Sequence, residues 1–182
     1  MSNPRVYSYI QTVWQEISNI DDVVTEKDGE RCCLIVANHA PLDKIWCEYN
    51  KQNRLWTQEY TLTFKTEVLL KDEEADGQIT LVYRKGKIQW GVRGKCASLA
   101  GYLEGSQLLN NKLEELIDMG GKVVIKITKK SAVINITAIP GTIIKMIIPP
   151  ATHLVKPDKK ELIVIMQIMQ LIIAACSYDS RE

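Results

Sequence analysis

Phenylalanine occurs once in this chain and histidine twice. The two histidines, His39 and His153, are far apart, with no Glu or Cys at ligand spacing beside either. That spacing argues against a metal site. The five cysteines are odd in number and include no CxxC pair, so neither a zinc motif nor a disulfide framework is suggested. They read as reduced, small apolar residues of a cytoplasmic protein. No GxGxxG or GxxxxGK loop is present. GVRGKCA, at Gly91–Ala97, reads as a tight strand-to-helix turn. No cofactor is implied. Charge of one sign is also lacking. The net charge is +1, so binding to nucleic acid would need a local patch. The N-terminus shows no basic segment followed by an apolar run, which argues against a secretory signal.

What is present is an ordinary globular composition, 46% hydrophobic and 25% charged over 182 residues. This length predicts a single domain over residues 1–182, with 178–182 as a flexible tail. Pro4 suits a first helical position, with Ser2 or Asn3 as cap. Val6, Ile10, Val13, Ile17 and Ile20 then recur at helical spacing. Arg31–Ala37 reads as a buried strand. Ile45–Tyr49 and Arg54–Leu70 read as strands around a polar turn at Asn50–Asn53. Lys71–Gly77 is an acidic loop, followed by a hairpin turning at Arg84–Lys87.

A single helix is expected over Ala97–Met119, weakened by Gly101 and Gly105 and stopped by Gly120-Gly121. Lys122–Thr128 and Ala132–Ile139 form another hairpin. Thr142–Ile148 is apolar on both parities, as a central strand would be. Pro149, Pro150 and Pro157 bracket an irregular connection, after which Asp158 and Glu161 form a capping box. These elements predict an α+β fold: a mainly antiparallel sheet of six to seven strands, with three helices packed mostly on one face. The order resembles that of secretion-chaperone-like folds, a likeness of topology that carries no function.

Three groups of residues bear on function. The first is Cys33–Trp46, CLIVANHAPLDKIW, where an Asn-His pair and an Asp follow an apolar strand. It resembles the first motif of glycerolipid acyltransferases. The resemblance implies that His39 deprotonates a hydroxyl acceptor and that Asp43 orients the imidazole. Here three residues separate His39 from Asp43 where that family has four, and its downstream Glu-Gly motif has no counterpart. On a helix the missing residue rotates Asp43 by about 100°. The expectation is therefore that no dyad forms, and that Asn38, Pro41 and Asp43 build a turn.

The second group is a basic hairpin. Arg84, Lys87 and Arg93 lie among Tyr83 and Trp90, a mixture that can bind single-stranded nucleic acid. Lys122, Lys126, Lys129 and Lys130 add cations on the following hairpin. Trp90 shares parity with Ile88 and Val92 and is expected in the core, which leaves Arg84 and Lys87 as a solvated tip.

The third group is apolar surface. Leu162–Ala175 is broken only by Gln167 and Gln170, and at about 21 Å of helix it falls short of a bilayer. Ile165, Met169 and Ile172 are its candidate interface residues. The function expected is a non-catalytic interaction or assembly module, a homodimer or a binder of a protein partner, working through such helix faces. The alternatives are an acyl-transfer or hydrolytic enzyme using His39 and Asp43, and a nucleic-acid binder using Tyr83–Lys95.

Overall fold

The computed structural model describes residues 4–20, 23–28, 31–36, 44–70, 76–84 and 86–177. In chain order the elements are α1 (Pro4–Ser18), β1 (Val23–Asp28), β2 (Arg31–Val36), β3 (Lys44–Asn53), β4 (Thr57–Leu69), β5 (Asp76–Arg84) and β6 (Lys87–Lys95). There follow α2 (Ala97–Gly105), α3 (Gln107–Asp118), β7 (Lys122–Ile127), β8 (Ser131–Thr137), β9 (Ile143–Met146), β10 (Ala151–Leu154) and α4 (Lys159–Ser177). The fold is α+β with a mostly antiparallel sheet. It has ten strands and four helices among the described residues, where six to seven strands and three helices were expected.

The residues group into two compact units: 1–64 with 137–163, and 65–136 with 164–182. In the first unit the strands run β1-β2-β3-β4, and β9 joins β4 to β10. Helix α1 packs on this sheet, burying Val6, Ile10, Val13, Trp14 and Ile17, the stripe its spacing predicts. Leu34, Ile45, Tyr60, Leu62, Phe64 and Ile143 are buried in the same unit. Tyr49 sets its ring 5.5 Å from that of Trp14 and donates its hydroxyl to the Gly141 carbonyl at 2.8 Å. Lys156 and Glu16 form an ion pair at 2.8 Å on the helix's outer side.

In the second unit the order is β4-β8-β7-β5-β6. Ile79 stands between Val92 on β6 and Ile125 on β7, and Leu81 opposite Trp90. Directly opposed residues share a face. This face holds the buried Ile79, Trp90, Val123, Ile125 and Ile127, and α2 and α3 lie against β6. At its margin Tyr83 and Val92 share the parity but remain exposed. Gly77 and Gly94 face each other with φ of +150° and +90°. A Cβ at Gly77 would fall 2.1 Å from the Arg93 carbonyl oxygen. Only glycine accepts that backbone approach.

Four differences from the expected elements have local causes. Strand β3 runs on through Asn50–Asn53, where a turn was expected, because pairing outweighs polar composition; Asn50 donates to the Thr63 hydroxyl at 2.8 Å. The expected single helix breaks into α2 and α3 at Ser106, which takes an extended conformation after Gly105 and caps Leu109 N–H. The polar strand β1 and the short β10 were not foreseen. β1 is held by its register with β2, and β10 by its pairing with β9. The final helix starts as expected: Glu161 accepts from the Asp158 N–H at 2.7 Å, closing the capping box.

The indole Nε1 of Trp14 is buried without an acceptor. Trp14→Phe keeps most of the ring contact and removes that donor, so it should cost less than about 1.5 kcal/mol. Trp14→Ala should cost about 3–5 kcal/mol. Urea midpoints measure both, and equal losses would show that the ring is not what packs the helix.

Candidate functional site

Ile165, Met169 and Ile172 are completely buried within their own chain. The reason for the apolar character of α4 is therefore internal packing, and those three side chains present no surface. At 19 residues α4 is long and apolar enough to cross a membrane by length and composition, a longer helix than Leu162–Ala175 suggested. Just over half of its most apolar window is buried inside the chain.

His39 and Asp43 lie outside the described residues, so their separation is not part of the structure's account. His153 sits exposed on β10, opposite Ile144. Among the described residues no three His, Cys, Asp or Glu side chains gather as metal ligands would.

All five cysteines are buried as reduced thiols. Cys32 stands directly opposite Cys47 across β2 and β3. Burial pushes the Cys47 thiol well above its ordinary range, and the neighbouring Cys32 and Cys33 push it further. Burial also raises Cys33, partly offset by Lys44, and raises Cys96 against two backbone hydrogen bonds. Such thiols stay protonated at neutral pH and are poor nucleophiles.

Arg84, Lys87 and Arg93 share one side of the sheet, with Arg93 six residues along β6 from Lys87. Arg84 pairs with Lys87, and Gln78 stands between Arg93 on β6 and Lys126 on β7. Alternation along β5 and β7 puts Gln78, Thr80, Val82 and Arg84 on one side, with Lys122, Val124 and Lys126. This side is opposite Ile79, Trp90 and Ile125. Arg84, Lys87, Arg93, Lys122 and Lys126 are all exposed.

A second surface was not read from the sequence. The β3–β4 turn places Leu55 (81% exposed) and Trp56 (56%) in solvent. Ile147 donates its N–H to the Trp56 carbonyl at 2.9 Å, which ties the β9–β10 turn to this one. That turn exposes Ile147 (45%) and Ile148 (64%) ahead of a cis Ile148–Pro149 peptide. A cleft of about 360 Å³, lined by Pro4, Arg5, Lys145, Met146, Pro150 and Thr152 among others, adjoins the same turn. Around the rim, Arg54 pairs with Glu59 at 3.3 Å and the Lys51 ammonium lies 5.6 Å above the Tyr60 ring. Both pairs fall at the ends of the expected strands Arg54–Leu70 and Thr142–Ile148, which the structure shortens to Thr57–Leu69 and Ile143–Met146, and the backbone hydrogen bond brings the two turns side by side.

The chain belongs to the family described as Protein of unknown function (DUF3156), whose model matches residues 18–176. No curated protein and no solved structure matches the chain.

The Cys176 thiol is raised by burial from 9.0 to about 12. Because the folded value lies above the unfolded one, this group's stabilisation is full below pH 9.0 and is lost as pH rises toward about 12. One unit above the unfolded value the loss from this thiol is about 1.4 kcal/mol. Urea midpoints at neutral and alkaline pH should therefore differ less in Cys176→Ala than in the wild type. An unchanged difference would place the alkaline loss elsewhere.

Proposed function

We propose that this member of the DUF3156 family is a non-catalytic interaction module that assembles as a homodimer through the apolar end of its first unit. The observation that carries the reading is the joined exposure of Leu55, Trp56, Ile147 and Ile148. Single exposed apolar residues are commonplace, but a contiguous patch with a tryptophan marks a contact surface. An apolar patch with charge only at its rim is complementary to itself, which favours a second copy as the occupant in two-fold symmetry. The patch would form the dry centre of a contact that must cover roughly 800 Å² per partner. The adjoining cleft gives a protruding side chain of the partner a place to enter. Five buried cysteines outside any disulfide support a reducing, cytoplasmic setting.

The reading moves the interface from the α4 face to these turns, because Ile165, Met169 and Ile172 are already covered within the chain. Sedimentation equilibrium at micromolar concentration should give about twice the 20.7 kDa monomer mass. Trp56→Ala with Ile148→Asp should weaken association more than about tenfold, since a central aromatic anchor is lost and a charge is buried. Both positions are exposed, so the urea midpoint should stay near that of the wild type. A wild type that remains monomeric at micromolar concentration, or a double variant that dimerises equally well, would reject the proposal.

A further inference from the structure

We infer that the open face of the second unit's sheet is a binding surface for the phosphate backbone of double-stranded nucleic acid. The inference uses a different surface from the dimer contact and does not rest on it. Its basis is the register of β6, β5 and β7. Arg93, Gln78 and Lys126 form one row across the three strands, and Arg84 and Lys87 form another at the hairpin end. Lys122 follows on the same side of β7 by alternation. Strands lie about 4.8 Å apart and rise about 3.3 Å per residue. The backbones carrying Arg93 and Lys126 are thus roughly 10 Å apart, and the two rows roughly 20 Å apart. Extended Arg and Lys side chains span such gaps, which suits a lattice of phosphates better than one small anion.

These five cations are exposed, and none forms a salt bridge among the described residues. Among the described residues, β5, β6 and β7 place one carboxylate on this side, Asp76, opposite Lys95 and one step beyond the Arg93–Gln78–Lys126 row. The chain's net charge is only +1, so this side holds a concentrated excess. Between the rows stand Thr80, Val82, Gln89, Gly91 and Val124, which are compact or neutral. A Cβ at Gly91 would come within 3.3 Å of the Val82 side chain, and its absence keeps the centre low.

The same register removes the rings. Trp90 is buried on the opposite side, and Tyr83 shares that opposite parity. Without an aromatic platform, a single strand forgoes the stacking worth about 1–3 kcal/mol per base. A duplex keeps its bases stacked and presents phosphates alone. The expected ligand is therefore a duplex, bound without regard to base sequence.

Fluorescence anisotropy with a labelled DNA duplex, and with one of its strands alone, tests this over a series of salt concentrations. The duplex should bind at low salt, and more tightly than the strand. With about five phosphate contacts, log K should fall against log salt with a slope of roughly −4 to −5. Arg93→Glu with Lys126→Glu should weaken binding more than about tenfold and reduce the slope by roughly 2. Circular dichroism and the urea midpoint confirm that the charge-reversed protein is folded. Absence of duplex binding at low salt, tighter binding of the single strand, or a slope unchanged by the charge reversal would each overturn the inference.

Discussion

The register that sets Ile79 between Val92 and Ile125 decides what the second unit can offer to a partner. Strand side chains alternate, so burying one parity commits every residue of the other parity to the outside. A slip of one residue would carry Arg93 and Lys126 inward and bring Ile125 and Trp90 into water. Burying unpaired cations costs far more than the few kcal/mol by which a domain is stable. The cationic side is therefore a consequence of the core. The close approach of Gly77 to Gly94 belongs to the same register, since a side chain at either position would meet the opposite backbone.

The first unit is governed by α1 and the aromatic pair beneath it. Trp14 and Tyr49 fill the space between helix and sheet, and the Tyr49 hydroxyl reaches the Gly141 carbonyl. Burial pushes the Tyr49 hydroxyl well above the usual phenol range, so it remains a donor at all ordinary pH. With Ile143 and Leu62 buried here, the apolar residues just beyond β9 have no interior left to enter. Ile147 and Ile148 stay in solvent beside Leu55 and Trp56. The apolar surface at these turns thus lies apart from the helix that is richest in apolar residues.

Periodicity made much of the fold legible in the sequence. The α1 stripe, the capping box at Asp158 and Glu161, and the Arg84–Lys87 hairpin are local patterns that need no tertiary information. The burial of Trp90 followed from parity alone. β1 and β10 were illegible because their residues are polar or few, and pairing with a neighbouring strand holds them extended. The α2–α3 break depended on the conformation of one serine. The candidate surfaces divide in the same way. Arg84, Lys87 and Arg93 were legible as a charged hairpin. That they share one side with Lys126 and without Trp90 required the pairing of β5 with both neighbours. Ile165, Met169 and Ile172 were candidate interface residues because composition shows how apolar a helix is, and packing alone shows whether its own chain or a partner covers it. Leu55–Trp56 and Ile147–Ile148 lie far apart in sequence, so nothing short of the Ile147–Trp56 hydrogen bond joins them.

The proposed dimer contact lies at the exposed apolar end of the first unit. The emission of Trp56, left as the sole tryptophan by Trp14→Phe, Trp46→Phe and Trp90→Phe, reports on that surface directly. The account predicts blue-shifted, poorly quenched emission at micromolar concentration, moving to the red on dilution as the pair dissociates and water reaches the indole. Emission that is red-shifted and freely quenched at every concentration, in a variant that remains folded, would contradict it.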